Sequence, residues 1–411
     1  KNTPQLKKEN TPSEKEKNVS NEIASKVSWS KIDKKIGAVN LQRLGLAYDK
    51  GKIIALLDAS IETNALGMQL MGLGVGFNLD WNNLDPDFYL EGLGLSYKTD
   101  TVEIAGALMR TTSNGIEIYN GQARLKVKSF TLSAIGSYAQ VNGESSLFIY
   151  GLYQGNIGGP PIFHVTAIAA GFGYNRKINA PEIEEVASFP LVALAMQPED
   201  KNLTEVLTSL ETKMKSGKTP VEIASGNYWV AVGVKFTSFK IIESFLLLTA
   251  NFGTKTEFNI LGLSRLSWPE KTLRDKIGLK DPIVFVEIAL KASFSPDSDV
   301  IKIDGLITPN SYVLSKDCKL SGGFAFYTWV SGEHAGDFVM TIGGYHPRFP
   351  KPTHYPTVPR IALNWKLDEN LLVKGELYFA LTPSAIMMGG RWELLYTSSN
   401  VRAAFIIWID V

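Results

Sequence analysis

Glycine-containing turns that recur between segments of alternating hydrophobicity are the feature that most restricts the fold of this chain. Segments such as 53–61, 102–108 and 130–138 have a period of two, which is the signature of strands. Asn-Gly favours the two-residue hairpin turn because both of its residues tolerate a positive φ. The sequence therefore predicts consecutive antiparallel hairpins, with turns at Asp49-Lys50-Gly51, Ser113-Asn114-Gly115, Asn120-Gly121 and Asn142-Gly143.

A short pattern of apolar, glycine, apolar, small and aromatic residues occurs three times, in 44–48, 73–77 and 93–97. Glycine at the second position removes a side chain from one face, so that an aromatic ring from a neighbouring strand or another layer can approach closely. Many of the predicted strands are apolar on both faces. We therefore expect the sheet to be covered on both sides.

Two segments with helical features interrupt the strand pattern. One covers 181–196 and is expected to break near Pro190. The other has apolar residues at helical spacing from Leu203 to Met214, with Asn202 as its predicted N-cap. The sequence therefore predicts a helical insertion between two β-rich halves.

The fold class that follows is mainly β, with large antiparallel sheets of hairpins, layered or barrel-like, and one or two short helices inserted near 181–216. The polar start of the chain, 1–36, is predicted as a disordered tail or linker. An N-terminal β half follows over 37–180, then a helical insert over 181–226 and a C-terminal β half over 227–411. We expect the two halves to share one fold. Because the sequence stops inside an apolar strand pattern, we interpret the chain as a fragment truncated at its last residue.

The composition excludes several functional classes. Lysine plus arginine number 42 and aspartate plus glutamate number 41, so the net charge of +1 argues against nucleic-acid binding. The single cysteine, Cys318, excludes a disulfide within the chain. The sequence shows neither a signal peptide nor an apolar run of about 18 residues. We therefore expect no transmembrane helix and favour a cytoplasmic location.

Rigid and titratable residues concentrate between positions 322 and 391. Three of the four histidines fall within 21 residues here, and five prolines fall within 13. This concentration in an otherwise uniform β-rich chain makes the region the candidate surface or site. Its candidate residues are His334, Asp337, Tyr345, His346, Arg348, His354, Tyr355, Arg360 and Arg391.

Three interpretations of this region stay open. The prolines would hold 343–360 as an extended strap whose aromatic residues pack on the sheet and whose imidazoles bond to backbone. The same residues would alternatively form a binding surface, or a metal or acid–base site, although the histidine spacings match no single-helix zinc motif. The arginines are expected to pair with Asp337 or Glu393, and no cofactor is predicted.

Several stretches carry a family resemblance, and the closest is 322–391. The others include 57–59, 72–77, 158–161, 169–176, 234–238 and 306–312. Together they resemble the family catalogued as domain of unknown function 6603, which occurs in large, mostly bacterial and some fungal proteins. The likeness runs over 39–411. It implies a β-rich module of a large, multidomain protein, and it implies no catalytic residues.

The leading functional hypothesis is a non-enzymatic β-rich scaffold or binding module that engages a protein partner or an apolar ligand. It follows from the apolar strands and from the lack of a complete catalytic motif. A first alternative is a membrane-associated, lipid-binding or pore-forming β assembly, which alternating strands rich in glycine and tyrosine allow. A second is a metal-dependent hydrolase that uses His334, Asp337, His346 and His354.

Overall fold

The computed structural model describes residues 27–49, 51–63, 65–78, 87–113, 115–196, 203–296 and 298–411. Within them the chain forms 23 strands, one 3-10 helix and three short α-helices. The fold is therefore mainly β and antiparallel with few short helices, as the sequence predicts. In this part of the chain, none of the helices has the length and apolarity needed to cross a bilayer.

The chain divides into two compact units, and the first contains the residues up to Gly155 together with Gly173–Asn175. Strand β4 pairs antiparallel with both β5 and β6, and the other strands pair antiparallel with their neighbours in chain order. Its strands are β1 (Ser28–Ile36), β2 (Val39–Asp49), β3 (Lys52–Glu62), β4 (Leu66–Asn78), β5 (Asp87–Tyr89), β6 (Gly92–Lys98), β7 (Val102–Ser113), β8 (Ile116–Val127), β9 (Phe130–Val141) and β10 (Glu144–Gly158).

The hairpin turns of this unit agree with the sequence prediction at three of four places. Gly51, Gly115 and Gly143 each lie between two strands with a positive φ of 79–86°. The prediction of a turn at Asn120-Gly121 is wrong, because both residues lie inside β8. The neighbouring strand supplies the reason: Asn120 Nδ2 donates to Thr111 Oγ1 of β7, so the amide stabilises pairing rather than a turn.

Strand β1 occupies the end of the segment for which the sequence predicts a tail or linker, whereas 1–26 lie outside the described residues. Its Trp29 lies opposite Gly45 of β2, and a Cβ on Gly45 would come within 3.0 Å of the indole. The Arg43 guanidinium covers the same ring at 4.0 Å. The glycine of the repeated pattern therefore admits a neighbouring aromatic ring here, as the sequence predicts.

The second unit contains residues 156–172 and 176–411. Its strands also pair antiparallel. The remaining strands are β11 (His164–Ile178), β12 (Val221–Ser238), β13 (Ile242–Phe252), β14 (Glu257–Trp268), β15 (Val284–Phe294), β16 (Val300–Ile307), β17 (Tyr312–Val313), β18 (Cys318–Trp329), β19 (Phe338–Ile342), β20 (Ile361–Lys366), β21 (Leu371–Leu381), β22 (Ile386–Thr397) and β23 (Arg402–Asp410).

Helices of the second unit cover part of its sheet. A 3-10 helix (Ile183–Ser188) precedes α1 (Pro190–Met196) and α2 (Leu203–Glu211), and α3 (Lys271–Ile277) follows β14. Helix α1 begins at Pro190, where the fixed φ of proline suits the first helical position. It is apolar all round and packs on β13 and β14, as expected of a buried helix.

The predicted extent of the second inserted helix is partly wrong. Helix α2 ends at Glu211, before Met214, and Met214 instead accepts a hydrogen bond from Gly217 in a separate turn. Gly217 has a φ of 79°, which explains a turn at this position. The predicted N-cap, Asn202, lies outside the described residues.

Two interrupted strands position the candidate site. Strands β16 and β17 both lie between β15 and β18, and 308–311 leave the sheet between them. In the same way β19 and β20 both lie between β18 and β21. The connection from β19 to β20 is 343–360, so the predicted strap is an excursion from the middle of a sheet.

Candidate functional site

The strap, 343–360, leaves the sheet through two glycines. Gly343 and Gly344 have φ values of 73° and 86°, which other residues adopt only under strain. A Cβ on Gly343 would also meet main-chain atoms of Leu377 and Ile361. Beyond these glycines the five prolines keep the strap free of regular secondary structure.

Arg360 closes the strap at its other end. Its guanidinium donates to the carbonyl oxygens of Gly343 at 2.9 Å and Tyr345 at 2.6 Å. It also lies 4.0 Å over the Tyr378 ring of β21, in the arrangement of a cation–π contact. Arg360 therefore joins the start of the strap, its end and the sheet beneath, instead of pairing with a carboxylate as the sequence suggested.

Asp337 anchors the middle of the strap to the connection between β18 and β19. Its two carboxylate oxygens lie 2.8 Å from His354 Nε2 and 2.8 Å from the Tyr355 hydroxyl, and the Phe338 N–H also donates at 2.8 Å. Partial burial opposes ionisation, but the hydrogen bonds and the His354 charge outweigh it and hold the pKa of Asp337 below its usual value. Burial and the nearby carboxylate raise the pKa of Tyr355.

Aromatic rings surround this anchor. The His334 and His354 rings stack with their centroids 3.8 Å apart, and Trp329 meets His354 edge-on at 4.8 Å. Trp329 also stacks on Tyr355 at 5.7 Å, and both of these side chains are buried. Two imidazoles and one carboxylate are thus brought together by aromatic packing, but only His354 is hydrogen-bonded to the carboxylate, because the His334 ring lies parallel to the His354 ring.

The third histidine lies elsewhere on the strap. His346 faces the Tyr378 ring, and its Nδ1 accepts a hydrogen bond from the Arg348 N–H at 3.0 Å. Arg391 forms an ion pair with Glu393, as the sequence suggested. Among the described residues, no three His, Cys, Asp or Glu side chains are grouped to hold a metal ion. The ligand set that the hydrolase alternative requires is therefore not formed by these side chains.

Tyr345 completes the packing of the strap. Its ring stacks on Phe349 at 5.7 Å and on Tyr355 at 6.3 Å, and its hydroxyl donates to the Pro356 carbonyl oxygen. Burial raises the pKa of this phenol. Of the nine candidate residues, Arg348 is exposed, and it alone has a side chain without a partner among the described residues.

A buried carboxylate that the sequence analysis did not single out lies under the other strand interruption. Glu287 of β15 is 1% exposed and forms an ion pair with Arg265 of β14. Thr308 and Asn310 donate to its second oxygen at 2.8 and 3.0 Å. The Thr-Pro-Asn-Ser run at 308–311 was the available signal, because a polar run between two strands needs partners when it is buried.

An open cleft lies between the strap and the end of the sheet in the second unit. It has a volume of about 450 Å³ and is lined by charged, aromatic and apolar residues from the strap and from β21–β23. The lining residues are Pro347, Arg360, Glu376, Leu377, Tyr378, Gly390, Arg391, Ile406, Trp408 and Asp410. Two of the nine candidate residues, Arg360 and Arg391, therefore share one concave site.

One face of the sheet in the first unit is apolar across its central rows. The register from β6 to β10 places only aliphatic residues and glycine side by side in two adjacent rows. One row is Leu93, Leu108, Gly121, Gly136 and Ile149, and the other is Leu95, Gly106, Ala123, Ala134 and Gly151. We call this side, continued by Leu46 and Tyr48 of β2, the apolar face of the first unit.

The second unit has the same division of residues. Its register gives a row of nine apolar residues across nine strands: Val232, Leu248, Ile260, Ala292, Ile303, Phe326, Met340, Leu381 and Ile386. We call this side the apolar face of the second unit, and the opposite side of each sheet its mixed face. Every charged residue of β13–β16 and of β21–β23 falls on the mixed face by register.

The expectation of a sheet covered on both sides is wrong for the apolar faces. Leu46, Tyr48 and Ile149 of the first unit are 55–61% exposed, and Val232 and Ile386 of the second are 62% and 65% exposed. In the first unit the centre of the mixed face is buried, since Ser133 and Ser137 of β9 are nearly inaccessible. The sequence could not show this inversion, because alternation separates two faces without indicating which of them is covered.

The comparisons with known proteins give a family but no activity. The model of the family of unknown function DUF6603 matches residues 32–411, nearly the whole chain, so the chain belongs to this family. No curated protein matches. Among solved structures, Pseudomonas aeruginosa OccK2 (OpdF) in complex with glucuronate matches with 10% identity and a TM-score of 0.21, over 91% of this chain and 95% of that chain. A match at this TM-score supports no conclusion about fold or function.

Proposed function

We propose that this domain is a non-enzymatic binding module whose apolar ligand is lipid, and that its apolar faces lie against acyl chains. The observation that carries the proposal is the separation of residues across the central rows of each sheet, with apolar residues on the exposed side and charged residues on the other. Soluble monomers rarely expose apolar patches above a few hundred Å². The strands of transmembrane β-barrels show this arrangement, because their residues alternate between an apolar side that faces lipid and a polar side.

The rows that flank the centre of the first unit support lipid as the occupant. On one side the register adds Tyr97 and Tyr153 to the apolar face, and on the other it adds Tyr119 beside Tyr138. Aromatic residues of this kind prefer the level of the lipid headgroups, and aliphatic residues prefer the hydrocarbon between them. The centre of the face therefore has the composition expected of a surface in contact with acyl chains.

The depth of the apolar face also fits a bilayer. Along β8 it extends from Tyr119 to Val127, which is about 27 Å at the usual rise of a strand. The face ends at this row, because Arg110 of β7 lies beside Tyr119 and forms an ion pair with Glu117 at 2.8 Å. A tilted strand that crosses a bilayer has about 9–11 residues, and the nine residues from Tyr119 to Val127 fit that number.

Vesicle flotation tests the proposal. The wild-type protein is mixed with neutral phosphatidylcholine vesicles and centrifuged in a density gradient, and we expect it to rise with the lipid. The double variant Leu95→Arg/Ile149→Arg places two charges in the centre of the apolar face. Each charge is expected to cost about 2–4 kcal/mol in hydrocarbon, so this variant should stay at the bottom.

A matched variant controls for added charge. Thr101→Arg/Gln140→Arg adds the same charge at two exposed positions outside the apolar rows, and it should float like the wild type. Circular dichroism must show native strand content for both variants. If the wild type stays at the bottom, or if the two variants float equally, the lipid proposal is wrong. Concentration-dependent self-association of a non-floating wild type would instead favour a protein partner for the apolar face.

A further inference from the structure

The cleft beside the strap lies on the mixed face, opposite the side assigned to lipid, and so needs a different explanation. Its volume of about 450 Å³ is within the range of small-molecule sites. We propose that this cleft binds an uncharged saccharide. The argument concerns the side chains of β21–β23 and the closing arginine of the strap, and it does not depend on the lipid proposal.

Most charged groups of the cleft are already paired. Asp410 accepts a hydrogen bond from the Tyr378 hydroxyl at 2.9 Å, and Arg360 lies over the same ring while it holds the strap. Gly389 lies between Tyr378 and Asp410 in the register, and any Cβ there would collide with both side chains. The floor of the cleft is therefore fixed before a ligand arrives, which lowers the entropy cost of binding.

A row of three residues lines the rest of the cleft, and Arg391 in this row pairs with Glu393 through one of its nitrogens, which leaves its other N–H groups for a ligand. The register places Glu376 of β21 beside Arg391 of β22, and Arg391 beside Trp408 of β23. Trp408 is 66% exposed, and the Glu376 side chain has no hydrogen-bond or ion-pair partner among the described residues. Two strand spacings separate Glu376 from Trp408, which is about 10 Å. An acceptor, a donor and a flat apolar ring thus lie along one line.

The chemistry of this row matches a sugar ring. A pyranose has an apolar C–H face that stacks on an indole, and hydroxyl groups that both donate and accept hydrogen bonds. Glu376 supplies acceptors and Arg391 supplies donors at the positions beside the indole. Both arginines of the cleft are already bonded, Arg360 to main-chain oxygens and Arg391 to Glu393, so a phosphate finds no unpaired cation there.

Saturation-transfer NMR tests the proposal with three probes: maltotriose, cellotriose and N-acetylchitotriose, each at about 5 mM. We expect transfer from the protein to the ring protons of at least one probe. Trp408→Ala should weaken that binding at least tenfold, and Glu376→Gln should weaken it less because the amide keeps one acceptor. Citrate serves as the anionic probe, and we expect no transfer to it.

Trp392 provides a matched control. It is 58% exposed on the neighbouring strand β22 but lies on the apolar face, so Trp392→Ala should leave sugar binding unchanged. Absence of transfer to all three sugars would overturn the proposal. So would equal binding by the wild type and Trp408→Ala, or transfer to citrate alone.

Discussion

At the scale of single residues, two buried carboxylates explain why polar residues lie at the strand irregularities: they are hydrogen-bond partners of these carboxylates. Glu287 is almost inaccessible to solvent, yet each of its carboxylate oxygens has a partner. Its main-chain N–H donates a hydrogen bond to Ser311 Oγ. Asp58 in the first unit is held similarly, because it pairs with Arg43 and accepts the N–H of Gly72. A buried charge costs several kcal/mol unless hydrogen bonds compensate it. The strand irregularities next to these residues supply those hydrogen bonds.

Removing one member of the Glu287 group should destabilise the fold strongly. Glu287→Ala leaves Arg265 without its carboxylate, and we expect a loss of about 3–5 kcal/mol in the free energy of unfolding. Urea titrations followed by tryptophan fluorescence measure it. The exposed pair of Lys316 and Asp281 is the control, and Asp281→Ala should leave the urea midpoint unchanged. Similar midpoints for both variants would contradict the structural role of Glu287.

The hydrogen bonds of Asp337 lead to a prediction about how the stability of the protein depends on pH. Its pKa is lower in the folded protein than in the unfolded chain, so its hydrogen bonds contribute stability above about pH 4. That contribution is lost as the pH falls through the folded pKa. We expect the denaturation midpoint to fall less steeply from pH 5 to pH 2 in Asp337→Asn than in the wild type. The exposed Asp317→Asn should follow the wild type, and an unchanged slope in Asp337→Asn would refute the assignment.

At the scale of elements, glycines determine how closely neighbouring strands can pack their rings. Gly305 of β16 faces Phe324 of β18 on the apolar face, and the Phe324 ring occupies the space that a Cβ on Gly305 would need. Gly121 of β8 also lies on an apolar face, but there the nearest atom, Leu108 Cδ1, would be at an ordinary 3.6 Å. Glycine is thus required at one strand position and only tolerated at the other.

This contrast gives a prediction about strand packing. Gly305→Ala should destabilise the protein by about 1–3 kcal/mol, because the ring must move out of its position. Gly121→Ala should be neutral or slightly stabilising, because alanine restricts the unfolded chain. Thermal unfolding of the two single variants compares them directly. Equal melting temperatures would show that Phe324 moves aside without cost.

Residues within the strap explain why it leaves the sheet, but they do not show which residues elsewhere in the chain hold it in place. Glycines with positive φ and five prolines explain why 343–360 leave the sheet and stay extended. The partners of the strap come from distant positions: Asp337 for His354, and Tyr378 for Arg360. The imidazole of His354 accordingly meets a carboxylate, whereas the sequence suggested backbone partners.

At the scale of the whole molecule, the division into an apolar and a mixed face is the property with functional consequences. It can be tested by labelling single introduced cysteines on the two faces. Cys318 is fully buried and should not compete for a thiol-reactive dye. Leu95 and Lys98 both belong to β6, and their exposed side chains lie on opposite faces.

A polarity-sensitive dye at these two positions should respond differently to vesicles. On Leu95→Cys we expect a shift of the emission to shorter wavelength when phosphatidylcholine vesicles are added, because the dye enters hydrocarbon. On Lys98→Cys the emission should change little, since the mixed face does not contact lipid. A shift of the same size at both positions would mean that vesicle binding does not use the apolar face.

The secondary structure class follows from the amino-acid sequence alone. Alternating hydrophobicity and glycine turns are local signals, and three of the four hairpin turns and the break at Pro190 follow from residues within a few positions. The fourth turn failed because Asn120 has a side-chain partner on another strand. Sequence also identified a candidate region, since prolines and histidines concentrate there, but could not say which histidines would meet.

The folded chain is needed to know which side of the sheet is exposed, which charges are buried together and where the cleft lies. These properties depend on register between strands and on contacts between residues that are distant in sequence, such as Glu287 with Asn310 and Arg391 with Trp408. Period two specifies that a side chain alternates between faces. Whether a face is covered depends on other segments of the folded chain that pack against it, and the sequence of a single strand does not contain that information.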